Sequence, residues 1–206
     1  MDLEEAVRPW INSGLLDLYL AFSHIRLADR EVFFLQQGLE KIGKAYLIAC
    51  QFNRFQHLNL DRASEEVEKL ARSYGHDMSA VIGAVCVGIP ALGSRLLDRE
   101  FLGLLNAGNE EGRYPRPPQK TVIGKGVVPE PETSQKAFEI SREIVAEIIK
   151  RFEINYPLDR PIDVKIPRGD WTRFLRTFLP ERPASVRSGA VRIGLLTSAR
   201  SLGDGF

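Results

Sequence analysis

Between residues 35 and 49 the apolar side chains Leu35, Leu39, Ile42, Tyr46 and Ala49 return at alternating steps of four and three. Only a period near 3.6 places such a series on one face, so the stretch is predicted to be a helix with that face buried. Residues 133–156 repeat the pattern most clearly. There Ala137, Ile140, Ile144 and Ile148 share one side, and Phe138, Val145 and Phe152 broaden it, which predicts a central helix. Several one-sided helices can bury their stripes only against one another. The chain is therefore expected to be mainly α, an up-and-down helical bundle.

Local signals punctuate the bundle. The helical pattern over residues 15–52 breaks near Ala28 and Asp29, where Asp29 is suited to cap a second helix. After a polar loop over 53–61, Ser64 followed by Glu65 and Glu66 reads as the start of a third helix striped by Val67, Leu70, Ala71 and Tyr74. Gly75 is suited to a left-handed terminator, and Asp77 to capping a short fourth helix over 78–87. Beyond Pro90, Leu97, Phe101, Leu104 and Leu105 mark a fifth helix ending at Gly108. Repeated Gly and Pro over 108–131 predict a long loop.

Past Tyr156 the character changes. Residues 155–206 carry nine Lys/Arg against five Asp/Glu, a modestly basic tail. Residues 162–166 alternate like a short strand, and Asp170 reads as the cap of a helix striped by Trp171, Phe174, Leu175 and Phe178. About fifty residues bury little core alone. The expected organisation is thus a bundle over 1–156 with an irregular C-terminal extension, 157–206, docked upon it.

Composition excludes several classes. A formal charge of +1 exerts no overall pull on nucleic acid or anionic lipid. The two cysteines, Cys50 and Cys86, make neither a disulfide framework nor a zinc module, and both are expected to be buried thiols. No metal and no cofactor is expected. The apolar run over 80–92 is too short to span a bilayer, and the acidic start, Met-Asp-Leu-Glu-Glu, is unlike a signal peptide. A cytoplasmic location, away from any membrane, is expected.

Three patches, in order, resemble the HEPN domain, the higher eukaryote and prokaryote nucleotide-binding helical bundle. Residues 34–48 are similar to its second helix, with Glu40, Lys44 and Ala45 at the places of its acidic residue and Lys-Ala pair. Tyr74-Gly-His-Asp77 is similar to its Gly-His-Asp turn, and Gly112-Arg-Tyr-Pro115 to the loop before its last long helix. The resemblance covers residues 14–155. It implies a homodimer and a nucleotidyltransferase partner within a bacterial toxin–antitoxin or defence system, with a nucleotide or RNA as ligand.

Ribonuclease members carry an Arg, four to six residues, then a His on the last long helix. Here that helix has no His, the three histidines being His24, His57 and His76. RNA cleavage needs a proton-transfer group and a cation at the phosphorane. The chain is therefore expected to be a non-catalytic binding or regulatory module, the alternative being an RNA-cleaving toxin that uses a displaced Arg72 and His76. For phosphate or nucleotide binding the candidates are Lys44, His76, Arg113 and Tyr114. Each has a plainer reading: His76 bonding backbone at a helix end, Lys44 in an intrahelical ion pair with Glu40, Arg113 bonding to helix ends and Tyr114 packed on the bundle, with Asp77 beside them as a cap. Gly38 to Ala45 mimics a phosphate-binding loop but lacks the hydroxyl residue and interrupts a helical stripe, so Gly43 reads as a close-packing residue. A third reading makes Trp171, Phe174 and Phe178 an assembly surface.

Overall fold

Asp2 opens the first helix: its carboxylate accepts from the Glu5 amide at 2.8 Å while Glu5 accepts from the Asp2 amide at 2.7 Å, satisfying two otherwise orphaned donors. The computed structural model describes residues 2–23, 31–93, 99–112, 131–152 and 166–179. Among them lie seven α-helices and no strand: α1 Leu3–Phe22, α2 Glu31–Cys50, α3 Leu60–Ser73, α4 Met78–Gly88, α5 Arg99–Gly112, α6 Pro131–Phe152 and α7 Arg168–Phe178. The protein is mainly α-helical. No described helix is long and apolar enough to cross a membrane.

Helix α2, rather than α6, is central. It touches α1, α3, α4, α5 and α6, and its buried residues include the whole predicted stripe. Helices α1 and α2 are antiparallel and meet through glycine. A Cβ on Gly38 would lie 2.6 Å from Leu18 Cγ and 2.9 Å from the Gly14 carbonyl oxygen, and one on Gly14 would lie 2.8 Å from the Gly38 carbonyl oxygen. Backbone oxygen cannot move aside as a side-chain tip does, so each glycine sets the helix separation. Gly38→Ala is expected to cost about 1–2 kcal/mol, overpacking of about 1–3 kcal/mol outweighing the roughly 1 kcal/mol that alanine gains in a helix. A urea midpoint at or above that of the parent protein would contradict the crossing.

A second α1–α2 tie is ionic. Lys41 Nζ lies 2.5 Å from Asp17 Oδ2, and burial holds the Asp17 carboxyl above the usual aspartate range despite that partner. A raised folded-state value means that the folded chain takes up the proton more readily than the unfolded chain. The resulting stability is full below the unfolded value of about 3.9 and is lost as pH rises through the folded one. Asp17→Asn is expected to flatten that slope in urea midpoints measured from acid to neutral pH. An unchanged slope would place the proton elsewhere.

Several boundaries differ from expectation. Helix α1 begins at Leu3, well before residue 15, and continues through Pro9. Helix α3 starts at Leu60 because Asn59, not Ser64, caps it by accepting from the Arg62 amide at 3.0 Å. Helix α5 passes Gly108 to end at Gly112, and Pro167, not Asp170, precedes α7. Gly75 does take φ +61°, and Asp77 caps α4 by accepting from the Ser79 amide at 2.8 Å. The cap at Asp29, residues 162–165 of the strand expected over 162–166 and residues 113–130 of the loop expected over 108–131 lie outside the described residues.

Helix α7 packs inward. Trp171 and Phe174 meet Tyr19 of α1 at ring separations of 5.8 and 5.4 Å, and Phe178 meets Phe138 of α6 at 5.1 Å and Phe22 at 5.6 Å. These edge-on and tilted arrangements suit aromatic quadrupoles. The rings proposed as an assembly surface are engaged within the chain itself.

Candidate functional site

Glu40 and Lys44 sit one turn apart on α2, where a surface pair would be worth a few tenths of a kcal/mol. Here both side chains are only 5% exposed. Lys44 Nζ donates to Glu40 Oε1 at 2.7 Å and to the Gly75 carbonyl at 2.6 Å, so the ion pair pins the turn between α3 and α4. A lysine in a protein interior persists only with such partners. The left-handed Gly75 turns its carbonyl toward α2, which ties this backbone conformation to the ion pair.

The other groups converge on the same carboxylate. Gln36 Nε2 donates to Glu40 Oε2 at 2.6 Å, and Gln36 Oε1 in turn accepts from Gln37 Nε2 at 2.6 Å. His76 Nδ1 lies 3.0 Å from Glu40 Oε1 and 3.2 Å from Oε2. The His76 side chain is 46% exposed, which makes it the edge of the cluster that reaches solvent. Thus His76 engages a buried carboxylate, not the backbone expected from its place at a helix end. Lys44 is the side chain that takes the backbone carbonyl.

The remaining candidates are distributed as follows. Arg72 is exposed and donates to Glu68 Oε1 at 2.6 Å. Arg72 and His76 therefore answer to different carboxylates. Asp77 is exposed and acts as the α4 cap. His57 is exposed on the turn after α2, while Arg113, Tyr114 and His24 lie outside the described residues. Gly38 and Gly43 belong to continuous helix; a Cβ on Gly43 would lie 2.8 Å from Val81 Cγ1, so that glycine brings α4 close to α2.

Two further departures concern reactive groups. Cys50 is exposed and Cys86 half-buried, against the expectation of two buried thiols. Burial around its sulfur still pushes the Cys50 thiol up, against the opposing effects of a hydrogen bond with Tyr46 and of Arg151. That makes it a poor nucleophile near neutral pH. Among the described residues no cluster of His, Cys, Asp and Glu is suited to hold a metal ion.

Sequence reasoning missed Gln36, though a signal was present: Gln36, Glu40 and Lys44 recur every four residues, a polar stripe on a helix buried nearly all round. It also missed the Asp17–Lys41 tie, which pairs residues on different helices. Compared with protein-family models, curated proteins and solved structures, the chain matches none of the three.

Proposed function

We propose that the protein is a HEPN-like binding or regulatory module, which takes a phosphate-bearing ligand at the His76 edge of the Glu40–Lys44 cluster and does not cleave RNA. One observation carries the reading. The Glu40–Lys44 and Gly75–His76 patches that resemble the family lie far apart in sequence yet share one hydrogen-bonded cluster, through Lys44 to Gly75 and His76 to Glu40. Within that cluster Lys44 serves as an internal anchor, and His76, reaching solvent, is the group that meets ligand. Homodimerisation and pairing with a nucleotidyltransferase remain part of the proposal, on the resemblance alone.

The pairing of Arg72 with Glu68 weighs against the RNA-cleaving alternative, because cleavage needs the cation and the proton-transfer group at one phosphate. Purified protein is expected to leave a mixed RNA substrate intact with and without divalent metal. Reproducible cleavage that disappears in His76→Ala would replace the binding module with a nuclease.

A further inference from the structure

His76 is held from three directions. The residue before it, Gly75, gives its carbonyl to Lys44 Nζ at 2.6 Å; the residue after it, Asp77, caps α4 through the Ser79 amide at 2.8 Å; and its own Nδ1 lies 3.0 and 3.2 Å from the two oxygens of Glu40. Glu40 is the acidic half of the ion pair with Lys44 and also accepts from Gln36. A carboxylate in that role accepts, so the hydrogen of its contact with the ring belongs to Nδ1. In the neutral imidazole Nε2 then carries the lone pair, at the tip of a side chain that is 46% exposed.

An imidazole is a weak nucleophile until a neighbouring group supports it. Bond formation at Nε2 drives positive charge into the ring, and a carboxylate on Nδ1 is placed to meet that charge as it develops. The tautomer removes a second obstacle, since no proton has to leave Nε2 before it attacks. Lys44 and Gln36 hold the carboxylate while the pinned turn holds the ring, so neither has to be ordered during reaction. The phosphate-bearing ligand of the proposed function brings phosphorus to this nitrogen.

Resting on that phosphate-binding reading, we propose that His76 is a phosphoryl acceptor. Its Nε2 takes a phosphoryl group from a donor with a ready leaving group, an acyl phosphate or a phosphoramidate, and Glu40 is the positioning residue that presents it. The Nε2 lone pair forms the nitrogen–phosphorus bond, the bond from phosphorus to the leaving group breaks, and that electron pair departs with the leaving group. Nδ1 keeps its hydrogen, shared with Glu40, and nothing is oxidised or reduced. The attached group then occupies the edge at which a phosphate ligand binds, so the modification switches that binding off.

The full-length protein treated with phosphoramidate tests this, with peptide mass mapping comparing His76 with His57, which is also exposed and standardises the reagent. The ratio of His76 to His57 modification is expected to be about tenfold or more higher in the folded protein than in concentrated guanidinium chloride, the scale of one hydrogen bond to a charged group. Phosphorus spectra are expected to place the group on Nε2. A ratio no higher than in denaturant overturns the acceptor role, and attachment at Nδ1 overturns the positioning role of Glu40. Glu40→Gln is expected to lose most of the preference; full preference in a variant of unchanged helix content also overturns that role, and where the variant does not fold, the parent's ratio and linkage decide. Inorganic phosphate, which binds without transferring, separates the two readings. A saturable movement of the His76 ring signals without selective phosphorylation keeps phosphate binding and overturns the acceptor role. Selective phosphorylation without that movement overturns phosphate binding and keeps the acceptor role, and the absence of both overturns both.

Discussion

Lys44→Met is expected to destabilise the protein by about 3 kcal/mol, toward the lower end of the roughly 3–5 kcal/mol typical when one partner of a buried ion pair is removed. The cause is the charge left behind. Glu40 would remain buried, its carboxylate supported only by Gln36 and His76 in place of the 2.7 Å contact with Lys44. Those remaining partners keep the loss from the upper end of the range. Glu40→Leu combined with Lys44→Met should recover most of it, because removing both charges also removes the unpaired one. Urea midpoints with an unchanged denaturant slope would establish this as a stability effect. A single-variant loss under about 0.5 kcal/mol, the scale of ordinary surface substitutions, would mean that the pair is solvated.

Phe178→Ala is expected to cost about 3–5 kcal/mol, the usual range for emptying a buried phenylalanine site. Phe178 is 1% exposed and meets Phe22, Phe138 and Phe174 at ring separations between 4.8 and 5.6 Å. Three elements, α1, α6 and α7, lose a common contact when it goes. Because Trp171 stacks on Phe174 in the same cluster, its fluorescence should shift to the red as α7 loosens. A midpoint change equivalent to less than about 1 kcal/mol would show that α7 contributes little to the folded core, since core truncations of this size cost more.

The third and fourth expectations, a cost for Gly38→Ala and a flattened pH slope for Asp17→Asn, probe the α1–α2 contact from opposite directions. One adds volume where two backbones approach, and the other removes a titrating group beside them. Agreement between them would make this helix pair the platform on which the Glu40–Lys44 cluster is built. Both ties lie on the same helix as the cluster: Gly38 and Lys41 flank Glu40 in sequence.

Sequence alone determined the features that close within a few residues. The stripe from Leu35 to Ala49, the left-handed Gly75 and the Asp77 cap were legible because helix periodicity and capping depend on neighbours one turn away. Where two local signals competed, the reading went astray: Asn59 stood five residues before Ser64 and took the cap, and Gly108 was read as an end inside a helix that continued. Only the tertiary structure decided the partners of groups distant in sequence. Lys44 reaches a carbonyl 31 residues away and His76 a carboxylate 36 residues away, and no periodicity encodes such pairs. Burial was decided there too. The spacing of Glu40 and Lys44 is the same on a solvated helix face as inside a bundle, but exclusion of water turns a weak surface pair into the anchor of the α3–α4 turn.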